Sequence, residues 1–364
     1  MKTKIKKILS TVLLAIYFIA IYWFLSQTTE HPLAVILAML ASILFMIVTH
    51  ELGHLIFGLL TGYRFVSFRV FSFMLVKAEG KWAIRRMSIP GTGGQCLMAP
   101  PRKKNGKFPF VLYNLGGILF CGVLSLIPII VGLSGESLDL RMILFIFGFV
   151  SFVMNLMNAI PTNGKSMIND ATNLKMALKS EVAQSALWNQ LEYVALHAQN
   201  IRTADMPDDL FFLPEKEELS NPLIFWQILA AVERAEDTGD YERAREIAFS
   251  ALDHAKSVAP LYKGVLQIEA VYLGSLLGKE ADGSLSDRTD EYLESIQKTP
   301  AFRTFASFHR ATYAYRLLIK RDTANAEKAL AELRLKIKKA PYRAEAEFEQ
   351  NQLDYINKQY ANYQ

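Results

Sequence analysis

Four stretches of this chain, residues 8–26, 33–60, 108–133 and 142–160, are long, apolar and nearly free of charge. At about 1.5 Å per residue, each reaches across the roughly 30 Å hydrocarbon core of a bilayer. Lipid offers backbone amides no hydrogen bonds, so such stretches are constrained to be helices. The chain has 364 residues, 51% of them hydrophobic, with Phe, Leu and Ile crowded into the first 160 positions. A polytopic membrane protein with a soluble appendage is therefore expected rather than one soluble globule.

Charge sets the expected topology. Residues 1 to 110 hold fourteen Lys/Arg against three acids, Glu30, Glu51 and Glu79, while the connections QTTEHP and SGESLDL hold no Lys or Arg. By the positive-inside rule, MKTKIKK and the 61–107 loop are cytoplasmic and the two short connections external. Four crossings then return the C-terminus to the cytoplasm. The first span lacks a small-residue cleavage site after YWFLSQTTEHP and reads as a retained anchor. Cys96 and Cys121, the two cysteines, lie in a basic loop and an apolar run; neither a disulfide framework nor a cysteine zinc site is suggested.

Inside the second span stands MIVTHELGHLIFG, residues 46–58. His50 and His54 are at i and i+4, about 40° apart on a helix, so both imidazoles can reach one ion while Glu51 projects beside them. On a soluble helix HExxH often carries no metal. Within a membrane span the balance reverses, because ionisable groups there cost a few kcal/mol each and face a cavity or a partner. A glutamate so placed can take a proton from an attacking water. Tetrahedral zinc with an open position needs a third protein ligand. His197, His254 and His309 lie in the soluble half and His31 near the outer surface, which leaves NLMNAIPTNGKSMINDATNL, residues 155–174. Pro161 and Gly164 break that helix, Asn158 and Asn163 can bind exposed backbone, and Asp170 follows. Spacing alone leaves Asp170 open between a ligand and a helix N-cap beside Asn169.

Residues 63–98, YRFVSFRVFSFMLVKAEGKWAIRRMSIPGTGGQCLM, combine aromatic and β-branched residues with a Glu79-Gly80 turn and a PGTGG break. They read as a small β hairpin, membrane-associated and too charged to cross. DATNLKMALKSEVAQSALWNQLEYVALHAQN then reads as an amphipathic helix, and residues 203–222, rich in acids and prolines, as a linker. Helical periodicity resumes to the end. LAAVERAEDTGDYERAREIAFSAL and ATYAYRLLIKRDTANAEKALAELRLKIKKAP set alanines, Ala244 and Ala329 among them, around short turns in the manner of tetratricopeptide hairpins. Such a domain serves as a protein-binding platform or as a plain helical bundle.

HELGH in a membrane helix, followed two spans later by Asn-x-x-Pro and an Asp nine residues after the proline, resembles the site-2 protease family, the M50 intramembrane zinc metalloproteases. The resemblance covers about residues 33–175. It implies Zn2+ held by His50, His54 and Asp170, Glu51 as general base, Asn158 contacting substrate, and a membrane-embedded sheet that holds the substrate strand beside the site. Ala171 follows Asp170 where the family has Gly, and Cys121 stands near the place of an asparagine in the third core span.

The expected architecture is mainly α. Residues 1–32 form an N-terminal anchor span, 33–175 a site-2 protease-like membrane core, 176–221 an amphipathic helix and linker, and 222–364 a cytosolic all-α helical-hairpin domain. The expected function is an intramembrane zinc metalloprotease in the cell membrane, with both termini cytoplasmic. Its expected partners are a membrane-spanning protein or signal-peptide substrate, the lipid bilayer and a protein bound to the C-terminal domain, with no nucleic acid. The alternative is a catalytically inactive relative that acts as a membrane adaptor through its helical domain. A transporter is disfavoured, since no paired repeats with broken helices are found.

Overall fold

Three of the four apolar stretches are helices in the computed structural model, which describes residues 30–78, 80–87, 92–134, 137–162, 168–255, 258, 260–277 and 287–362. They are α1 (Pro32–Leu60), α2 (Phe110–Ser134) and α3 (Leu138–Ala159), each long and apolar enough to cross a membrane. The expected span at 8–26 lies outside the described residues. Leu33, Leu37, Leu40 and Leu44 are exposed along one stripe of α1, as are Val123, Ile127, Ile130 and Val131 on α2. A helix that shows leucine and isoleucine outward finds its solvent in lipid.

The chain divides into two compact units, residues 1–54 with 115–160 and residues 55–114 with 161–364. In the first, small residues let the helices approach closely. A Cβ on Gly53 would meet the Gly116 carbonyl oxygen at 2.3 Å, and one on Gly148 the Ser125 carbonyl oxygen at 2.6 Å. Membrane helices, which gain little hydrophobic free energy from one another, associate through such contacts and through buried hydroxyls. The Ser151 hydroxyl donates to the Ser42 carbonyl at 3.2 Å.

The second unit holds a sheet of four antiparallel strands, where the sequence suggested a hairpin of two. These are β1 (Arg64–Val70), β2 (Phe73–Ala78), β3 (Lys81–Arg86) and β4 (Gly94–Ala99), in the order β3-β2-β1-β4. Of the two reversals expected, β2 and β3 join through Gly80, which takes φ 77°, with Glu79 outside the described residues, and the PGTGG segment lies partly outside them. The third is at Phe71-Ser72, where Phe71 takes φ 52° without glycine or proline to announce it. The compensation is a buried arginine. Arg69, 1% exposed, donates to the Phe71 carbonyl at 2.7 Å and the Gly94 carbonyl at 3.1 Å, tying the turn to the start of β4.

The segment read as one amphipathic helix is two, α4 (Asp170–Ala177) and α5 (Glu181–Ala198). Ser180 separates them because its hydroxyl caps α5 by accepting from Ala183 N. The acidic stretch after α5 contains three short 3-10 turns and is anchored, with Met206 and Leu210 each 2% exposed. Six further helices follow: α6 (Pro222–Asp237), α7 (Tyr241–His254), α8 (Pro260–Leu277), α9 (Asp287–Gln297), α10 (Ala306–Ala314, prolonged by a π turn) and α11 (Thr323–Lys339). They pack as successive helix pairs around one apolar core, with Ala244 at 0% and Ala329 at 7% exposure on its inside. A last helix, α12 (Arg343–Asn362), crosses onto α10 and α11.

Sheet and helices share their cores. Val66, Met74, Val76 and Ala99 pack with Ala195, Ala198 and Tyr342, and Leu223 and Ile224 of α6 lie in one cluster with Met98, Phe108, Phe110 and Ala177. Cutting the chain near Pro214 would uncover that cluster. At about 1.5–3 kcal/mol for each large apolar side chain removed, the remainder would lose cohesion rather than persist as a separate core.

Candidate active site

The first unit brings the two histidines of HELGH together. His50 and His54 are 5% and 7% exposed, and their Nε2 atoms are 3.2 Å apart on edge-to-face rings. The separation is informative. Two imidazole nitrogens bound tetrahedrally to zinc, at about 2.0–2.1 Å each, would stand roughly 3.3 Å apart.

A third residue decides which nitrogen of His50 is available. Asn155 on α3, 3% exposed, donates its Nδ2 to the Ile118 carbonyl at 2.9 Å. Since a carbonyl only accepts, the amide is oriented with Oδ1 outward, 3.0 Å from His50 Nδ1. Oδ1 in turn only accepts, so Nδ1 carries the proton and the Nε2 lone pair points toward His54. This is the hydrogen bond that metal-binding histidines commonly make through their distal nitrogen.

Glycine supplies the space. A Cβ on Gly117 would fall 2.6 Å from His54 Nε2 and 2.7 Å from His50 Nε2, beside the point where the two ring nitrogens meet. Only a residue without a side chain leaves room there for an ion. The donor set, the tautomer and the cradle all fit a divalent transition metal of the zinc type.

The other expected site residues take distinct positions. Glu51 sits half-buried on α1, beside His50. Asn158 is half-buried on the last turn of α3, which ends at Ala159 with Ile160 extended before Pro161. Asn163 and Gly164 lie outside the described residues. Asp170 belongs to the second unit and opens α4. It is not that helix's cap: Asn169 Oδ1 accepts from Thr172 N at 3.0 Å. Thr172 also receives the Thr162 amide at 2.8 Å, which pins the chain just after Pro161. The cap alternative left open by spacing therefore goes to Asn169.

Asn155 and Gly117 were the residues that spacing did not single out for the site. Asn155 lies three positions before Asn158, on the same helical face, and an amide in an apolar span was the available signal. Gly116-Gly117 was legible only as close packing. Replacing Asn155 with Ala is expected to lower zinc affinity by about 10–100-fold, the usual effect of losing such a partner. Competition with a zinc indicator measures it, and unchanged affinity would remove Asn155 from its positioning role.

Apolar helices of membrane length and a buried pair of histidines in an HExxH motif are the features of a membrane protein with a candidate metal centre. Residues 13–163 match the family described as Peptidase M50B-like, so that part of the chain is similar to the M50 peptidases. No curated protein and no solved structure matches the chain.

Proposed function

We propose that the protein is an intramembrane zinc metalloprotease that hydrolyses a peptide bond of a transmembrane substrate near the cytoplasmic side. The observation that carries this is the convergence of His50 and His54 Nε2 at 3.2 Å over Gly117, with the His50 tautomer set by Asn155. In this reading His50, His54 and Asp170 hold Zn2+, and the match to an M50B-like family supports that choice of metal. When bound, zinc polarises the scissile carbonyl and brings the pKa of water down toward about 7.

The rest of the chemistry belongs to the chain. Glu51 takes the proton of the attacking water and returns it to the departing amine, so that neither a strong base nor a poor leaving group must form. Asn158, on the last turn of α3, donates hydrogen bonds to the substrate backbone, whose peptide groups need partners once its helix is unwound. Paired lipid-facing helices exclude bulk water and strengthen each of these interactions. Topology follows the Lys/Arg asymmetry: multi-pass, four spans, with both termini and the helical domain in the cytoplasm. That domain resembles tetratricopeptide hairpins and acts as the docking platform for a protein partner, while the substrate is a membrane-held protein or a signal-peptide remnant.

Two measurements test the proposal. Purified protein should carry close to one zinc per chain, and a chelator should stop its cleavage of a transmembrane reporter peptide, with zinc restoring it. Protein that binds no zinc and cuts nothing would favour the membrane-adaptor alternative. Reporters fused after Gln364 or within 100–107 should read as cytoplasmic, and one within SGESLDL as external; an external C-terminus would misplace the active site.

A further inference from the structure

The second unit contains a partly open cavity of about 260 Å3 lined by α5, α6, α8, α10 and α12. Five carboxylates line it: Glu233 and Glu236 from α6, Glu269 from α8, and Glu345 and Glu349 from α12. A single cation built into the fold, Arg310 of α10, faces them. It is 1% exposed, lies over the Tyr272 ring at 4.3 Å, and pairs with Glu236 at 3.0 Å, Glu269 at 2.8 Å and Glu349 at 3.2 Å. Its Nη1 and Nη2 donate to Glu236 and Glu269, while Nε faces Glu349 without a hydrogen bond.

Two carboxyl groups remain unmatched by positive charge. Glu233 accepts from the Thr203 hydroxyl at 2.8 Å and stands 3.8 Å from His197, whose pKa burial lowers, so that the ring adds no charge near neutrality. Glu345 has no hydrogen-bond or ion-pair partner among the described residues, and its surroundings are burial and the carboxylates Glu349 and Glu233. Glu236, 2% exposed, keeps its Oε1 without a hydrogen bond. A buried carboxylate oxygen without a partner, as at Glu236, beside the half-buried Glu233 and Glu345, is costly, so such a cavity favours protons or a cation.

We propose that this cavity binds an organic cation, an ammonium or guanidinium group, seated between Glu345 and Glu233 with Arg310 as the opposite wall. The geometry disfavours a bare metal ion. The clusters of three or more ligating groups within 4.8 Å among the described residues do not include these glutamates, so their oxygens are spread as donors around a larger cation require. The volume admits the end of an arginine or lysine side chain, or a small free amine. Carboxylates placed on several helices complement the fork of a guanidinium or the three protons of an ammonium.

Protons compete for the same groups. Burial raises Glu345 to about 8, with Glu349 and Glu233 adding repulsion. Burial likewise raises Glu349 to about 7, opposed by Arg310, and pushes Glu236 and Glu269 upward. Arg310 stays charged throughout. Binding a cation expels these protons, so affinity should rise as pH climbs through about 7 to 8 and level off above.

The test is calorimetric titration of the full chain in detergent with agmatine, which carries both cation types, and in parallel with a short peptide bearing one arginine. Saturable binding of one ligand per chain is expected, tightening by at least about tenfold from pH 6 to pH 8.5. Glu345→Gln, nearly isosteric and relieved of a buried charge, should weaken it by at least about tenfold. Val265→Phe, which fills the cavity without touching a charge, should abolish it and serves if the first variant fails to fold. Agmatine alone binding identifies a free amine, and stronger binding of the peptide identifies a basic partner segment. No binding to folded wild-type chain, equal binding by both variants, or displacement by equimolar Mg2+ would overturn the proposal.

Discussion

Glu51→Gln is expected to keep its full zinc content and to lose peptide cleavage by a factor of at least about 100, the lower end of what a positioned general base contributes. The substitution preserves shape and the ability to accept one hydrogen bond. It removes the negative charge and the capacity to take a proton. Because the proposed ligands are His50, His54 and Asp170, the metal should be unaffected, and removing a charge from a half-buried position on α1 should if anything ease insertion. The expected pairing of full metal with little activity is what separates a base from a ligand. Undiminished turnover would remove Glu51 from the mechanism, and loss of zinc would make it a ligand instead.

Asp170→Asn is expected to divide metal binding from folding in the opposite sense. Asn169 is the cap of α4 through its contact with Thr172 N, so position 170 contributes to that helix only a first-turn negative charge. Its loss costs about 0.3–1 kcal/mol by weakening the favourable interaction with the helix dipole. An amide is neutral and a poor zinc ligand, whereas a carboxylate both binds the ion and offsets its charge. The variant should therefore melt within a few degrees of the parent, yet hold zinc far more weakly and cleave little. Metal analysis after extensive dialysis, beside a thermal melt, reads both quantities. Parent-like zinc retention in the Asn variant would exclude Asp170 as the third ligand.

These two experiments address different parts of the reaction. A chain that fails the first but passes the second still binds a metal through HELGH and Asp170, and its catalytic base must be sought elsewhere. A chain that passes the first but fails the second keeps the base and needs another third ligand. The adaptor alternative predicts that neither substitution matters for function, because nothing is cut.

Much of this protein follows from local sequence. Spans α1 to α3 are dictated by apolar length, since lipid leaves the backbone no other solution. His50 and His54 meet because a helix sets i and i+4 on one face, a relation that needs no tertiary information. The turn at Gly80, the end of α3 before Pro161, and the burial of Ala244 and Ala329 follow in the same way from turn chemistry and periodicity. Beyond the reach of one helical turn, sequence lost its hold. Whether Asn155 or Asn158 would orient His50 depended on the rotation of α3 against α1, across 105 residues. That Gly117 rather than Gly116 faces the imidazoles depended on the rotation of α2. The Phe71 reversal was invisible because Arg69, Gly94 and a strand distant in sequence stabilise it rather than its own residues. The single arginine among five glutamates could not be read at all, since its partners come from separate helices that only packing assembles. Periodicity specifies which face of an element is apolar; the partner that face meets is set by side-chain volumes and buried polar pairing summed over the whole fold.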